Sequence, residues 1–313
     1  MANMIEMKTD DIINLLYDGA LFFDQQRTNA EIEYETFRAK KVNQLLGKTV
    51  FSDEYFEKLN ESTMYSSLES CYQFIMNTMM ERSKTLESIK KELFIIITNG
   101  INFRTDLIDN ASIIVFEFPL VKYINLMNIN VLGSNDFDDF KSNCFKVTKS
   151  FVERIKYIND YNAFTSLYSL NDFDSVKYQQ IMLFEQLQTV FMIGHELGHV
   201  LNPTISGLDS ELTSDLIGLN IVKDYVLNKE EMNVYIIISV MLLFSYLALL
   251  DVVQATNTQN KITARENWLD RYESVLTNLE ELELQEQEIS LINGYDKICN
   301  VLDEIMIEII DNN

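Results

Sequence analysis

Glycine and proline are scarce in this chain, nine and two among 313 residues. Folds built from many short strands use both at their tight turns, so this scarcity argues against a strand-rich fold and for long helices. Cysteine is nearly as rare. Cys71, Cys144 and Cys299 are odd in number, widely spaced and without a C-x-x-C pair. They exclude a disulfide framework and read as reduced, buried thiols of a cytoplasmic protein. Basic residues are outnumbered, 25 against 48 acidic ones, for a formal net charge of −23. Nucleic acid is a poor partner for such a surface, because neutralising phosphates needs a basic footprint, and anionic membranes are disfavoured for the same reason. A basic protein or peptide would be attracted. Met1 to Asp11 is polar and charged and lacks the apolar stretch of a secretory signal. No internal repeat or low-complexity linker is evident.

What is present is a globular composition, 47% hydrophobic and 11% aromatic. Residues 9 to 48 read as helical, and Ser52-Asp53-Glu54 as the cap of another helix. A further helix is expected from about Thr63 to Leu93, with Tyr65, Leu68, Cys71, Tyr72, Phe74, Ile75 and Met79 as its core stripe. Strand-like sequence is confined to residues 94–132. Phe94 to Thr98 ends at the turn signal Asn99-Gly100, Ser112 to Phe118 ends at Pro119, and Lys122 to Val131 alternates apolar with polar. Helices then resume after the acidic turn Asp136 to Asp139. Val234 to Leu250 is almost unbroken apolar sequence, interrupted only by Ser239 and Ser245. It is at the short limit for a membrane span and lacks a flanking lysine–arginine cluster, so a buried helix is the preferred reading. Two closing helices are expected from Arg265 to Ile310, broken at Asn293-Gly294, with Glu280 to Glu288 as a solvated face. The fold class is therefore α+β, predominantly helical, with a small mixed or antiparallel sheet. A division into residues 1–145 and 146–313 is one way to split it.

The chain has two histidines, and both lie in GHELGHV. His195 and His199, with Glu196 beside the first, spell H-E-x-x-H. On a helix, residues four apart share a face, so both imidazoles can reach one metal ion. Glu196 then stands where it can take a proton from a metal-activated water. The plain alternative is an amphipathic helix with a salt-bridging glutamate. Asn202-Pro203 and Gly207 end the helix and turn the chain. Asp209 or Ser210 can cap a new helix that carries Glu211 and Asp215. A catalytic zinc takes three protein ligands. With no histidine left, the third must be a carboxylate or a thiolate, and Glu211 is well placed. Asp215, one turn on, could accept the other ring N–H of a ligand histidine.

HELGH followed by ELTSDLIG resembles the gluzincin metallopeptidases, whose pattern is H-E-x-x-H and then E-x-x-x-D on the next helix. The resemblance covers residues 185 to 225. It implies a Zn2+ held by His195, His199 and Glu211, Glu196 as general base, Asp215 supporting a ligand histidine, and a peptide or protein substrate. It also implies a small sheet ahead of the motif helix whose edge strand holds extended substrate by backbone pairing. Eleven residues separate His199 from Glu211, a tighter connection than in thermolysin. No downstream histidine exists to stabilise an oxyanion, so a tyrosine or arginine would substitute, from Tyr225, Tyr235, Arg265 and Tyr272; Tyr225 and Arg265 are preferred. With neither signal nor pro-segment, the chain is more similar to small intracellular minigluzincin-like and phage-exclusion (Lit-like) proteases. In these an arginine-bearing segment follows, and Thr263 to Leu269 is the corresponding stretch. A rival from another class is a non-catalytic regulatory or binding protein with a vestigial or structural zinc site, in phage defence or a toxin pair. A third is a membrane-embedded protease using Val234 to Leu250.

Overall fold

The computed structural model describes residues 64–90, 92–98, 103–107, 111–134, 137–157, 175–279 and 284–312, with isolated positions before residue 64. The expected helix over 9–48 and the cap at Ser52–Glu54 fall almost entirely outside the described residues. Those residues form a predominantly helical α+β architecture, with eight α-helices and one three-stranded mixed sheet. They divide into two compact units, one of Lys91–Phe118 with the chain up to Phe74, the other of Ile75–Lys90 with Pro119–Asn313. The division falls within helix α1 (Met64–Arg82).

In the first unit the strands are β1 (Glu92–Thr98), β2 (Phe103–Leu107) and β3 (Ala111–Glu117), in the order β1-β3-β2. β3 pairs parallel with β1 and antiparallel with β2, so β1 and β2 are the two edges. Ile113, Ile114, Val115 and Phe116 are all buried, the unbroken apolar run of a strand covered on both faces. Tyr72 packs edge-on against Phe116, centroids 5.0 Å apart, and the Gln73 side chain accepts from the Ile95 amide at 3.2 Å. Phe74 departs from the expected core stripe: it is 70% exposed. α1 also stops at Arg82 rather than continuing to Leu93, and a 3-10 turn follows at Lys84–Ser88.

In the second unit, Lys122 to Val131 is not a strand. It belongs to α2 (Phe118–Gly133). Pro119 sits in the first turn, where the missing N–H costs nothing, and so begins this helix instead of ending a strand. Leu120, Tyr123, Ile124 and Met127 are buried at helical spacing, and so are Asn125, Asn128 and Asn130. Those asparagines produced the apparent alternation. Asn128 and Gln188 hydrogen-bond each other inside the core, at 2.7 and 3.3 Å. After α3 (Phe137–Tyr157), which runs unbroken through residue 145, come α4 (Ser175–Leu201), α5 (Leu208–Tyr225) and α6 (Asn233–Gln254). The last two helices are α7 (Thr258–Leu279) and α8 (Glu286–Asp311).

α6 is the axis of this unit. It is long and apolar enough to cross a membrane, yet 89% of its most apolar window is buried inside the fold. Every residue from Ile236 to Leu250 is covered, as in a core helix that is hydrophobic on all sides. Helices α3, α4, α7 and α8 supply the cover. The expected break at Asn293-Gly294 is absent, and among the described residues the chain is non-helical at 284–285, just ahead of Glu286. A reciprocal capping box between Gln285 and Glu288 fixes the start of α8. An interior glycine costs a helix about 1 kcal/mol. The buried stripe Tyr295, Cys299, Leu302, Ile305 and Met306 outweighs that cost.

Candidate metal centre

The centre is built where α4 and α5 cross, and small residues make the crossing close. A Cβ on Gly198 would lie 2.7 Å from the Cα of Ser214, and one on Gly194 would lie 3.0 Å from the Cα of Gly218. Backbone thus meets backbone at two points one helical turn apart, and any side chain there would separate the helices. α5 begins at Gly207, whose φ of 66° favours glycine, rather than at Asp209 or Ser210 as the sequence suggested. Asp209 and Glu211 therefore fall in its first turn, where the positive end of the helix dipole favours carboxylates.

Both histidines are held at Nδ1. His195 Nδ1 is 2.8 Å from Asp215 Oδ1, and His199 Nδ1 is 3.1 Å from the hydroxyls of both Ser210 and Ser214. With those sides anchored, the two Nε2 atoms converge to 3.1 Å. Glu211 straddles them, Oε2 at 3.4 Å from His195 Nε2 and Oε1 at 3.5 Å from His199 Nε2. Tetrahedral zinc with bonds of 2.0–2.2 Å separates its ligand atoms by about 3.3–3.6 Å. The two imidazole nitrogens, 3.1 Å apart, and the carboxylate, with one oxygen 3.4 Å from the first and the other 3.5 Å from the second, are close to the separations that ligands of one zinc ion require. Glu196 is buried on the same helix, and its carboxylate and the two histidines have ligating atoms within 4.8 Å of one another. A His/Glu/His group able to hold a metal ion is therefore present.

A residue that the motif analysis missed completes the arrangement. Arg271 of α7 is buried and grips Asp215 with two hydrogen bonds, Nε to Oδ2 at 2.7 Å and Nη2 to Oδ1 at 2.8 Å. Its Nη1 lies 3.2 Å from Glu211 Oε2. The guanidinium stacks 4.0 Å from the centroid of Trp268, whose indole N–H donates to Asp251 at 2.7 Å. Asp215 is fully buried, so a paired cation is what makes its charge tolerable there. The only signal in the sequence is the expected arginine-bearing segment, six residues too early.

The charges order themselves. Burial alone would lower the pKa of His195, but the hydrogen bonds to Asp215 and then Glu211 raise it to about 9. Burial and the neighbouring charge of His195 lower that of His199. Burial would raise the Glu211 carboxyl, yet the His195 hydrogen bond and the charges of His195 and Arg271 pull it down to about 2. At neutral pH a protonated His195 donates from Nε2 toward a neutral His199 and an ionised Glu211.

The four suggested oxyanion donors lie elsewhere. Tyr225 ends α5, fourteen residues (about 20 Å of helix) beyond Glu211. Its hydroxyl accepts from Gln186 at 3.0 Å, and its carbonyl accepts from Arg82. Tyr235 opens α6, before the point where Ser239 lies level with Gln188, itself about 10 Å of helix short of His195. Arg265 is held by Asp303 through two hydrogen bonds of 2.6 Å. The Tyr272 hydroxyl points to Asp296 on α8, at 3.5 Å. Compared with protein-family models, with curated proteins and with solved structures, the chain matches none.

Proposed function

We propose that this chain is a zinc-dependent peptidase of gluzincin type. The observation that carries the reading is the triangle of His195 Nε2, His199 Nε2 and the Glu211 carboxylate, spaced for tetrahedral zinc with both Nδ1 atoms anchored away from it. These three residues would hold the ion. Zinc, when bound, supplies Lewis-acid polarisation and brings the pKa of water toward neutrality. Glu196, buried beside the histidines, takes the proton of the attacking water and delivers it to the amine that leaves as the C–N bond breaks. Asp215, fixed by Arg271, keeps His195 presenting Nε2. The net charge of −23 favours basic peptides as substrates.

A second reading, a zinc-binding regulatory protein without turnover, is favoured by one observation: Tyr225, Tyr235, Arg265 and Tyr272 all lie away from the triangle. One experiment separates the two. Elemental mass spectrometry of the wild type is expected to find about one zinc per chain, strongly weakened in Glu211→Ala. Glu196→Gln is expected to keep its zinc and lose cleavage of a peptide panel, basic peptides included, by about 10²–10⁴-fold. Undiminished cleavage in that variant sinks the mechanism, and zinc without cleavage in the wild type supports the regulatory reading. A wild type that takes up no zinc even when supplied with it removes both.

A further inference from the structure

A second site lies in the helical unit, apart from the histidines. Between α6, α7 and α8 is a half-open cavity of about 100 Å³, walled by Phe244, Trp268 and Tyr272. Ala248, Leu269 and Met306 add apolar lining. Its charged groups do not balance. Arg265 and Asp303 form a bidentate pair across α7 and α8 and cancel. Asp296 receives only neutral donors, the Tyr272 hydroxyl at 3.5 Å and the Asn300 amide at 3.2 Å. No cation pairs with it among the described residues. Burial raises the Tyr272 phenol and pushes the Cys299 thiol up to about 12, so both line the cavity in their neutral forms. The lining therefore holds one more carboxyl group than it has cations, and the unmatched one is Asp296. Arg271 stacks on the same indole but does not line the cavity.

We propose that this cavity is a binding site for a small aliphatic cation, an alkylammonium or alkylguanidinium. The chain would lie on the apolar lining and the cationic head against Asp296 and the aromatic walls. The aromatic faces attract a cation within about 6 Å of a ring centroid, and the carboxylate supplies the charge-assisted hydrogen bond. A cavity of about 100 Å³ has room for a slim linear chain of a few carbons. This site is independent of the zinc reading.

Trp268 is the single tryptophan of the chain, so tryptophan emission comes from one wall of this cavity; because Arg271 of the metal centre stacks on the same indole, the titrations are run at constant zinc. The full-length protein is titrated with butylammonium and butylguanidinium, and with butanol and butyrate as neutral and anionic compounds of the same length. Both cations are expected to shift the emission with dissociation constants near 1 mM, about −4 kcal/mol. Butanol and butyrate should bind at least tenfold more weakly. In Asp296→Asn the cations should fall to the level of butanol while zinc content stays unchanged. An equal response to butanol in the wild type overturns the proposal and leaves a plain apolar hollow. Tighter binding of butyrate overturns it in favour of an anion site at Arg265. Cation binding that survives Asp296→Asn, or no response to either cation, overturns it as well. The comparison of the four compounds on the wild type decides even if the variant does not fold.

Discussion

At the scale of single residues, the centre is decided by which side of each imidazole is already engaged. Asp215 takes Nδ1 of His195, and Ser210 and Ser214 take Nδ1 of His199, so neither ring can turn Nε2 away without losing a buried partner. In the metal-free protein the space between the Nε2 atoms is bridged by a proton on His195, whose pKa is raised to about 9. The ordinary value of a free histidine is about 6.5. The sign follows: this proton stabilises the metal-free fold fully below about 6.5, and that contribution is lost as the pH rises through 9. Zinc requires a neutral Nε2, so binding between those limits must expel the proton. His199 and Glu211 are shifted down and need release nothing at neutral pH. Calorimetry at pH 7 in buffers of different ionisation enthalpy should therefore find close to one proton released per zinc, falling away above pH 9. A release near zero at pH 7 would show that His195 is neutral without metal and that Asp215 does not hold it charged. Helical spacing puts His195 and His199 on one face, and Glu211 and Asp215 on one face of the next helix. The need for a third ligand and the resemblance bring the two together, so HELGH and ELTSD are legible from the sequence. Arg271 is not, because its bond to Asp215 spans 56 positions and no local pattern marks which arginine makes it.

At the scale of elements, the α4–α5 crossing sets the distance between Glu211 and the histidines, and glycine sets the crossing. Alanine is the better helix former by about 1 kcal/mol, so Gly→Ala on a helix is stabilising where space allows. At Gly198 the new methyl would meet the Ser214 backbone at 2.7 Å, an atom that cannot move without the helix. The clash wins: overpacking costs about 1–3 kcal/mol, and the displaced α5 carries Glu211 with it. Gly198→Ala should lower both the unfolding free energy and the zinc affinity. Gly294→Ala, exposed on α8 with no atom within 4 Å of the added carbon, should raise stability by up to about 1 kcal/mol and leave zinc binding alone. Denaturant unfolding and zinc titration of the two variants check this, and equal effects would mean that the crossing does not set the site. The same balance of local preference against packing explains what the sequence obscures. Asn293-Gly294 looks like a stop, but α8 continues because its buried stripe resumes at Tyr295. α2 looks like a strand because Asn125, Asn128 and Asn130 mimic polar alternation, and nothing local says that these amides are buried. The long motif helix, the buried helix α6 and a small sheet are readable because each rests on length or an unbroken apolar run.

At the scale of the whole molecule, the excess of 48 acidic over 25 basic residues opposes compaction, and any added cation relieves it to some degree. A rise in melting temperature with metal is therefore ambiguous by itself. General screening depends on ionic strength and hardly distinguishes one divalent ion from another at equal concentration. Binding at the triangle depends on imidazole ligands, which suit zinc and not magnesium. A ligand at 100 times its dissociation constant stabilises the fold by about 2.7 kcal/mol, roughly 5 °C for a chain of this size. Micromolar zinc should thus raise the melting temperature by that order while equimolar magnesium leaves it unchanged. A chelator should reverse the shift, and Glu211→Ala should reduce most of it. Added sodium chloride should raise the melting temperature of the wild type and of Glu211→Ala alike, since the surface charge of the variant differs little. Equal shifts with zinc and magnesium, in the wild type and the variant, would mean that the acidic surface accounts for the metal response and that the triangle binds nothing.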